Sequence, residues 1–533
     1  MRLRTLPSSR WLAAVPVLFL ALVLVAPAAR LVLLGLTGTD PNPTAAPEWW
    51  APWTDPYLRG RLLWSLAQAA ITCALAALVG LPMGWVLARL DFAGRRWMLR
   101  LLMLPFVVPT LVAALGVLAL LGPSGWLQAA GGPDLQGSAV LLIYGNLFFN
   151  LCIVVRSTVE GLEQVSASRV AAARTLGATA WRAFWRVEWP ALLPWLASAL
   201  CLVFLYCLSG FGLALILGGQ AWGTAEVEIY TLVAHELQLG QASVLGLWMG
   251  ALTALAALAY ARLEQRNAGP VRADPIPARV PQGLLQRGAV GLAVATWLAV
   301  GAAPLLAIVA RALAAWWDSW RVLLEEETLL ALWNTVRFSA ATLLLAGVLG
   351  VLHALAAQRV AWMRTAAYLP FIVSPVLVAF GLLLLYPHWT ASLSLMLAAY
   401  ALLAYPMVAK ALAAGLDALP TSCLEAARTL GAGPWRVFWR VQLPLLAPAL
   451  RRGLAFAAAT AVGEFAVTLF LSRPEWTTLS TLIYQHLGRP GAAHLDAAWV
   501  LATLLMALAT LVFLLIDQAG VHPLQTREGM SRA

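Results

Sequence analysis

The sequence predicts an all-α integral membrane protein of about twelve transmembrane helices, arranged as two parallel six-helix repeats. Three observations predict it. First, of 533 residues 62% are apolar and only 11% charged, whereas a soluble domain carries about 25% charged residues. Second, long apolar stretches fall at 11–36, 61–88, 99–121, 138–158, 191–217, 242–261, 288–312, 332–356, 366–386, 392–411, 446–471 and 496–517. Most are long enough to cross a hydrocarbon core of about 30 Å as helices. Third, the segment Arg174-Thr-Leu-Gly-Ala-Thr-Ala-Trp-Arg-Ala-Phe-Trp-Arg-Val-Glu-Trp-Pro190 returns as Arg428-Thr-Leu-Gly-Ala-Gly-Pro-Trp-Arg-Val-Phe-Trp-Arg-Val-Gln-Leu-Pro444. From Arg169 and Cys423 onward, 14 of 22 positions are identical at an offset of 254. Bulk hydrophobicity does not select Arg, Gly, Trp and Pro, so the match marks a duplication.

The first stretch begins with basic residues and contains Ala26-Pro27-Ala28, which imitates a secretory signal and its cleavage site. The apolar run resumes through Leu31 to Leu36. It is therefore read as the first spanning helix. With the N-terminus inside, 27 of the 35 basic residues fall on cytoplasmic segments, among them Arg89 to Arg100, Arg156 to Arg186, Arg262 to Arg287 and Lys410 to Arg452. Outer loops instead carry Asp40, Asp55, Asp134, Glu226, Glu228, Asp318, Glu325 to Glu327, Glu475 and Asp496. This asymmetry orients both termini to the cytoplasm. The net charge of +11 is accordingly a topology signal, and no soluble basic domain exists to engage nucleic acid. Cys73, Cys152, Cys201, Cys207 and Cys423 lack CxxC spacing and the six histidines lack HExxH spacing. No metal centre or other bound cofactor is expected.

Each element has a counterpart in the other half. The chain divides into a first helix and outer loop (1–60), a first core (61–261), a Pro- and Arg-rich cytoplasmic linker (262–287), a seventh helix and outer loop (288–331), a second core (332–517) and a tail (518–533). Trp64-Ser65-Leu66 matches Asn334-Thr335-Val336, Leu104-Pro105-Phe106 matches Leu369-Pro370-Phe371, and Arg156 matches Lys410. The offset falls from 265 at the Leu-Pro-Phe match to 254 at the long repeat, placing about eleven extra residues in the outer loop near 122–137. Six helices per half insert both halves in the same sense, as parallel repeats about an axis along the membrane normal.

Both copies of the long repeat lie on the cytoplasmic side. Each has an Ala-rich stretch (Ala171, Ala172, Ala173; Glu425, Ala426, Ala427), a glycine (Gly177; Gly431), an aromatic set and a Pro opening the next span. Alanine favours helix and glycine ends it at a defined point. Trp181, Phe184 and Trp185 fall at i, i+3, i+4, as do Trp435, Phe438 and Trp439, so each set forms one apolar face of a short helix. Anchoring in lipid headgroups would explain one such face. Anchoring does not require a fixed sequence, whereas a protein socket does.

Glu425-Ala-Ala-Arg-Thr-Leu-Gly431 followed by Leu443-Pro444 resembles the "EAA" loop of ABC importer permeases. The first copy departs from it at Ala171 and at Trp189. The resemblance covers essentially the whole chain, as a fused pair of type I permease units. It implies the ABC type-1 permease fold, coupling helices that dock on two copies of a cytoplasmic ATPase, and an extracytoplasmic solute-binding protein. Asn146-Leu-Phe-Phe-Asn150, Glu226-Val-Glu-Ile-Tyr230, Gly463-Glu-Phe465 and Thr478-Leu-Ser-Thr-Leu-Ile-Tyr484 are similar to segments of the fused permeases for iron(III) and for thiamine alike. A P-loop needs GxxxxGK[ST], and the sole lysine, Lys410, sits in Tyr405-Pro-Met-Val-Ala-Lys410. ATP hydrolysis by a site of that type therefore belongs to another chain, and this one is not an enzyme.

Glu464 stands within the apolar run Leu454 to Leu471, opposite Gly210 of the first half. An ionisable group at that depth points either to the substrate path or to a buried tie between helices. Pro105, Pro109, Pro370 and Pro375 interrupt corresponding helices, as path-lining breaks or packing kinks. Asn146 and Asn150 suit bonds between helices. Glu464, Asn150, Pro105 and Pro370 are the candidate pathway residues. An ion-coupled secondary transporter using Glu464 is the rival reading, and it leaves the duplicated loop unexplained.

Overall fold

A computed structural model of the chain describes residues 9–37, 49–123, 125–267, 276–390, 392–419, 421–471 and 473–518. Among these residues the structure is all helical apart from one isolated bridge between Leu90 and Arg279. That bridge pins the end of the linker to the C-terminal end of a spanning helix. The membrane helices are α1 (Leu12–Thr37), α2 (Pro56–Arg89), α3 (Thr110–Leu121), α4 (Ala139–Glu163), α5 (Trp189–Leu208) and α6 (Leu239–Asn267). The second half supplies α7 (Gly283–Ala314), α8 (Glu326–Ala357), α9 (Pro375–Leu385), α10 (Leu393–Asp417), α11 (Leu443–Val462) and α12 (Ala492–Gln518).

Two pairs of expected helices are shorter than their apolar stretches. The helices at 99–121 and 366–386 are broken ahead of Pro109 and Pro375, and the second break turns the chain by 94°. Proline lacks an N–H and drives the preceding residue out of the helical region. Val108 and Ser374 are accordingly extended, with ψ of 134° and 157°. The stretches at 191–217 and 446–471 are not single spans: α5 and α11 stop at Leu208 and Val462, and Gly212–Leu217 and Ala466–Leu471 form separate short helices. Hydropathy is blind to these breaks because both sides are apolar. The outer loops also hold short helices, Ala225–Ala234 and Leu479–Gly488.

Small residues set the helix crossings in both halves. A Cβ on Gly80 of α2 would lie 2.8 Å from Val154, and one on Gly350 of α8 would lie 2.6 Å from Val408. Gly161 against Leu192 and Trp195 is repeated as Gly415 against Leu446 and Ala449. Without a hydrophobic drive between helices in lipid, such close approach supplies the van der Waals contact that holds them.

The first helix of each half packs on the core of the other. α1 lies against α8 and α9, while α7 lies against α3. The two contacts are pseudo-equivalent: a Cβ on Gly116 of α3 would meet the Pro304 carbonyl at 2.8 Å, and one on Gly381 of α9 would meet Pro27 at 2.9 Å. Pro27 belongs to the Ala-Pro-Ala segment that imitates a cleavage site, and Leu20, Leu24, Leu31 and Leu34 around it are buried. Gly116→Leu or Gly381→Leu should each cost roughly 1–3 kcal/mol through overpacking. The expected result is lower thermal stability of the purified protein, measured by tryptophan fluorescence, with no such loss for Gly250→Leu, where nothing lies within 4 Å.

Candidate functional site

The two copies of the repeated loop are built alike. In the first, the helix Ala167–Thr175 ends at Gly177, whose φ is +85°. The Ala178 N–H donates to the Ala173 carbonyl at 3.0 Å and the Gly177 N–H to that of Arg174 at 3.0 Å. In the second, Thr421–Thr429 ends at Gly431, with φ of +76°, and the Ala432 N–H donates to the Ala427 carbonyl at 3.1 Å. This is the left-handed glycine stop that satisfies the last carbonyls of a helix.

The aromatic sets sit on the next element. Ala180–Ala183 runs through a π-helical turn, Phe184–Glu188, straight into α5, and Pro434–Val437 runs through Phe438–Gln442 into α11. They therefore extend membrane helices instead of forming separate short ones. Trp181, Phe184, Trp185 and Trp189 make a continuous stack, with centroids 5.5 Å apart for Trp181–Trp185 and 5.1 Å for Trp185–Trp189. Phe438 packs edge-on to Trp439 at 5.5 Å, while the Trp435 side chain lies outside the described residues. Ala172, Glu425, Ala426, Gly177 and Gly431 are exposed, and Ala173 and Ala427 half-buried. Within the two loops, Leu176 at 88% and Leu430 at 87%, each directly before its glycine, stand out among the exposed apolar residues, with Trp181 at 70%. Apolar clusters of this kind mark an interaction surface. Sequence reasoning passed over the two leucines, although their place before the glycine was the available signal.

The first loop is tied to its core by an ion pair. Arg89, the last residue of α2, donates to Glu188 at 2.8 Å and to the Leu162 carbonyl at 3.4 Å, with its side chain 9% exposed. The pair joins the end of the loop to the end of α2.

Between the halves lies a cavity of about 240 Å³, lined by the broken helices and by α4, α5, α10 and α11. Phe106 is its hub, with ring centroids 5.4 Å from Phe149, 5.8 Å from Tyr206 and 6.0 Å from Phe456. Glu464, Asn150 and Pro370 line it, whereas Pro105 is buried behind Phe106. Asn146 bridges helices by donating to Gln68 at 2.7 Å, and Gln68 donates to the Cys207 carbonyl at 2.8 Å. Asn150 donates to the Asn146 carbonyl at 2.9 Å, and its buried Oδ1 has no partner within the protein.

Glu464 occupies the break after α11, where its Oε1 accepts from the Val467 N–H at 3.0 Å. It thereby caps the helix Ala466–Leu471 while lining the cavity. Glu464→Gln, which keeps an acceptor, should preserve stability, and Glu464→Ala should cost about 1 kcal/mol as a lost cap. Thermal melts of the two variants check this.

A pseudo-symmetric pair lines the cavity. Phe211 and Phe465, 254 residues apart, stack with centroids 6.0 Å apart and planes at 21°. Tyr230 abuts Phe211 at 5.4 Å, and its counterpart Tyr484 abuts Phe465 at 5.3 Å. The outer short helices are capped across the half in matching fashion: the Ala225 N–H donates to Ser65 at 2.8 Å and the Leu479 N–H to Thr335 at 2.9 Å. This gives the Ser65/Thr335 match a structural reason.

One contact here breaks the symmetry. Ser374, at the break before α9, donates to Glu226 of the first half's outer helix at 2.7 Å, and the other Glu226 oxygen has no partner. Burial pushes the Glu226 carboxyl up to about 8, against a smaller opposing pull from Ser374. The folded value lies above the unfolded one near 4.5, so its contribution is full at acid pH and is lost as pH rises through about 8. The melting temperature should therefore fall between pH 5 and pH 9 more in the wild type than in Glu226→Gln, as measured by differential scanning fluorimetry.

The chain matches the family described as "Binding-protein-dependent transport system inner membrane component" twice, over residues 80–269 and 346–519. It is 26% identical over 515 residues to the thiamine transport system permease protein ThiP of Haemophilus influenzae, covering 91% of this chain and 92% of that one. The corresponding Escherichia coli protein is 26% identical over 511 residues, covering 88% and 91%. The sulfate transport system permease protein CysW of Synechococcus elongatus, 26% identical over 269 residues, spans 48% of this chain but 89% of its own length. One of our halves therefore corresponds to a whole permease there. With two family matches, two copies of one loop and a cavity between pseudo-equivalent halves, the chain belongs to the inner-membrane permease components of binding-protein-dependent ABC transporters, as two permease units fused in one polypeptide.

Proposed function

We propose that this chain forms the translocation pathway for thiamine, received from an extracytoplasmic solute-binding protein and driven by two copies of a cytoplasmic ATPase. The observation that carries the substrate is the similarity to thiamine permeases along nearly the full length of both chains. The cavity suits it chemically: Phe106, Phe149, Tyr206 and Phe456 offer ring faces, Asn150 an unused acceptor, and Glu464 a carboxylate. Thiamine carries aromatic rings, N–H donors and a fixed positive charge, and cations are attracted to aromatic faces. Closed outside by Phe211 and Phe465, the path opens to the periplasm when the ATPases draw the two loops together. Both termini lie in the cytoplasm, ATP is hydrolysed on the partner chains, and this chain binds no cofactor. The family favours this ATP-driven reading over the ion-coupled one.

The test is uptake of labelled thiamine by proteoliposomes containing this chain, its ATPase and its binding protein. ATP-dependent accumulation is expected. Accumulation of iron(III) without thiamine would overturn the substrate, and accumulation of either without ATPase would overturn the mechanism.

A further inference from the structure

Of the 35 basic side chains, 34 are arginine and one, Lys410, is lysine. It is held by an unusual set of groups. Its Nζ lies 4.7 Å from the ring centroid of Tyr260, 4.8 Å from that of Tyr368 and 5.4 Å from that of Phe371. It donates to the Tyr260 hydroxyl at 2.8 Å and to Glu264 at 2.9 Å. Tyr260 and Glu264 are one turn apart on α6 of the first half, while Tyr368 and Phe371 lie in the broken lead into α9 of the second. Arg156, the counterpart of Lys410, instead pairs with Glu160 on its own helix at 2.8 Å.

Three ring faces and a carboxylate around one ammonium are the recognition chemistry of an organic cation. The compactness of the group matters, because a planar guanidinium with its fixed fork does not fit as an ammonium does. Position supplies the second argument. Phe371 is at once a wall of this box and of the central cavity, and Pro406 and Met407, one turn from Lys410 on α10, line the cavity too. The box is therefore the next station toward the cytoplasm. It is partly open, the Lys410 and Glu264 side chains being 20% and 34% exposed.

We propose that Tyr260, Glu264, Tyr368 and Phe371 form a second cation site at the inner end of the pathway, occupied by the Lys410 ammonium until a cation leaving the cavity displaces it. The direction of travel rests on the importer reading, while the site itself rests on geometry alone. A tethered competitor keeps the departing cation from lodging, which satisfies the need for a path to bind and yet release. Because the box draws on both halves, the exchange is also sensitive to their separation.

The single lysine permits a direct test. In the purified full-length chain, reductive methylation of Lys410 is followed by mass spectrometry against an added lysine peptide. We expect wild-type Lys410 to react about tenfold more slowly than the peptide. Tetramethylammonium and thiamine should each accelerate it, and neutral tert-butanol should not. Glu264→Gln should raise the rate without added cation. In Lys410→Met, which leaves the rings free, tetramethylammonium observed by NMR should bind about tenfold more tightly than in the wild type, and Lys410→Arg, whose planar guanidinium fills the box less well than the ammonium, should fall between the two. A lysine that merely ties the halves together would be released in Glu264→Gln but would ignore added cations, and that result overturns the site. If Lys410→Met does not fold, labelling of the wild type alone decides. Acceleration by tetramethylammonium but not by thiamine would uphold the site and remove thiamine as its ligand. Import of thiamine with no effect of either cation on labelling would overturn the site and leave the importer reading standing.

Discussion

Replacing Gly431 by aspartate is expected to separate the permease from its ATPase while leaving the membrane helices folded. The glycine holds φ of +76°, a conformation that costs a residue with a side chain roughly 1–2 kcal/mol. Aspartate tolerates it better than most, but adds a negative charge at the negative end of the helix dipole and beside exposed Leu430. Nothing lies within 4 Å of the added Cβ, so the cost is confined to the backbone of this turn and the membrane helices should stay folded. Binding of the ATPase should weaken by at least about tenfold, with substrate-stimulated hydrolysis lost and the melting temperature nearly unchanged. Co-purification and ATPase assays in vesicles check both halves of the statement, and intact association would defeat the docking assignment. Within the same loop, Glu425→Ala should cost less coupling than Trp435→Ala. Exposed carboxylates contribute little, whereas aromatic anchors at interfaces cost about 2 kcal/mol or more when truncated.

The second large effect is expected at the outer closure. Phe211→Ala combined with Phe465→Ala removes both rings of the stack proposed to shut the cavity. Proteoliposomes preloaded with labelled thiamine should then lose it without ATP, whereas the wild type should retain it. Buried Phe→Ala changes also cost roughly 3–5 kcal/mol each in a packed core. The Phe211→Leu/Phe465→Leu pair separates the two consequences, since it fills most of the volume and should leak far less. Equal retention by wild type and the alanine pair would show that closure lies elsewhere.

Much of the scaffold was legible in the chain because lipid makes its demands locally. Backbone groups must bond within their own helix, so twelve apolar stretches announce twelve spans. The glycines at 177 and 431 declared their helix stops through φ alone, and Pro109 and Pro375 declared the breaks. What escaped were features made between distant segments. Glu464 read as mid-helix because the residues on both sides are apolar, although Gly210, which aligns with Glu464, and Gly463 beside it each stand at the break of their half. The stacking of Phe211 on Phe465 and the caging of Lys410 depend on how the halves face each other, and no local pattern encodes that.

The exchange of first helices, Pro27 onto Gly381 and Pro304 onto Gly116, also sets a timetable for biogenesis. α1 leaves the ribosome first, yet α8 and α9, on which it packs, follow roughly 300 residues later. At about 5–20 residues per second, that is a wait of tens of seconds in the bilayer. During it, the faces of Pro27 and Leu24 that will meet α8 and α9 must rest on lipid. Folding therefore cannot finish half by half. A ribosome stalled after the linker leaves six inserted helices of which the first has met α6 but still lacks α8 and α9, a species open to quality-control proteases, and both halves on one message guarantee that those partners arrive.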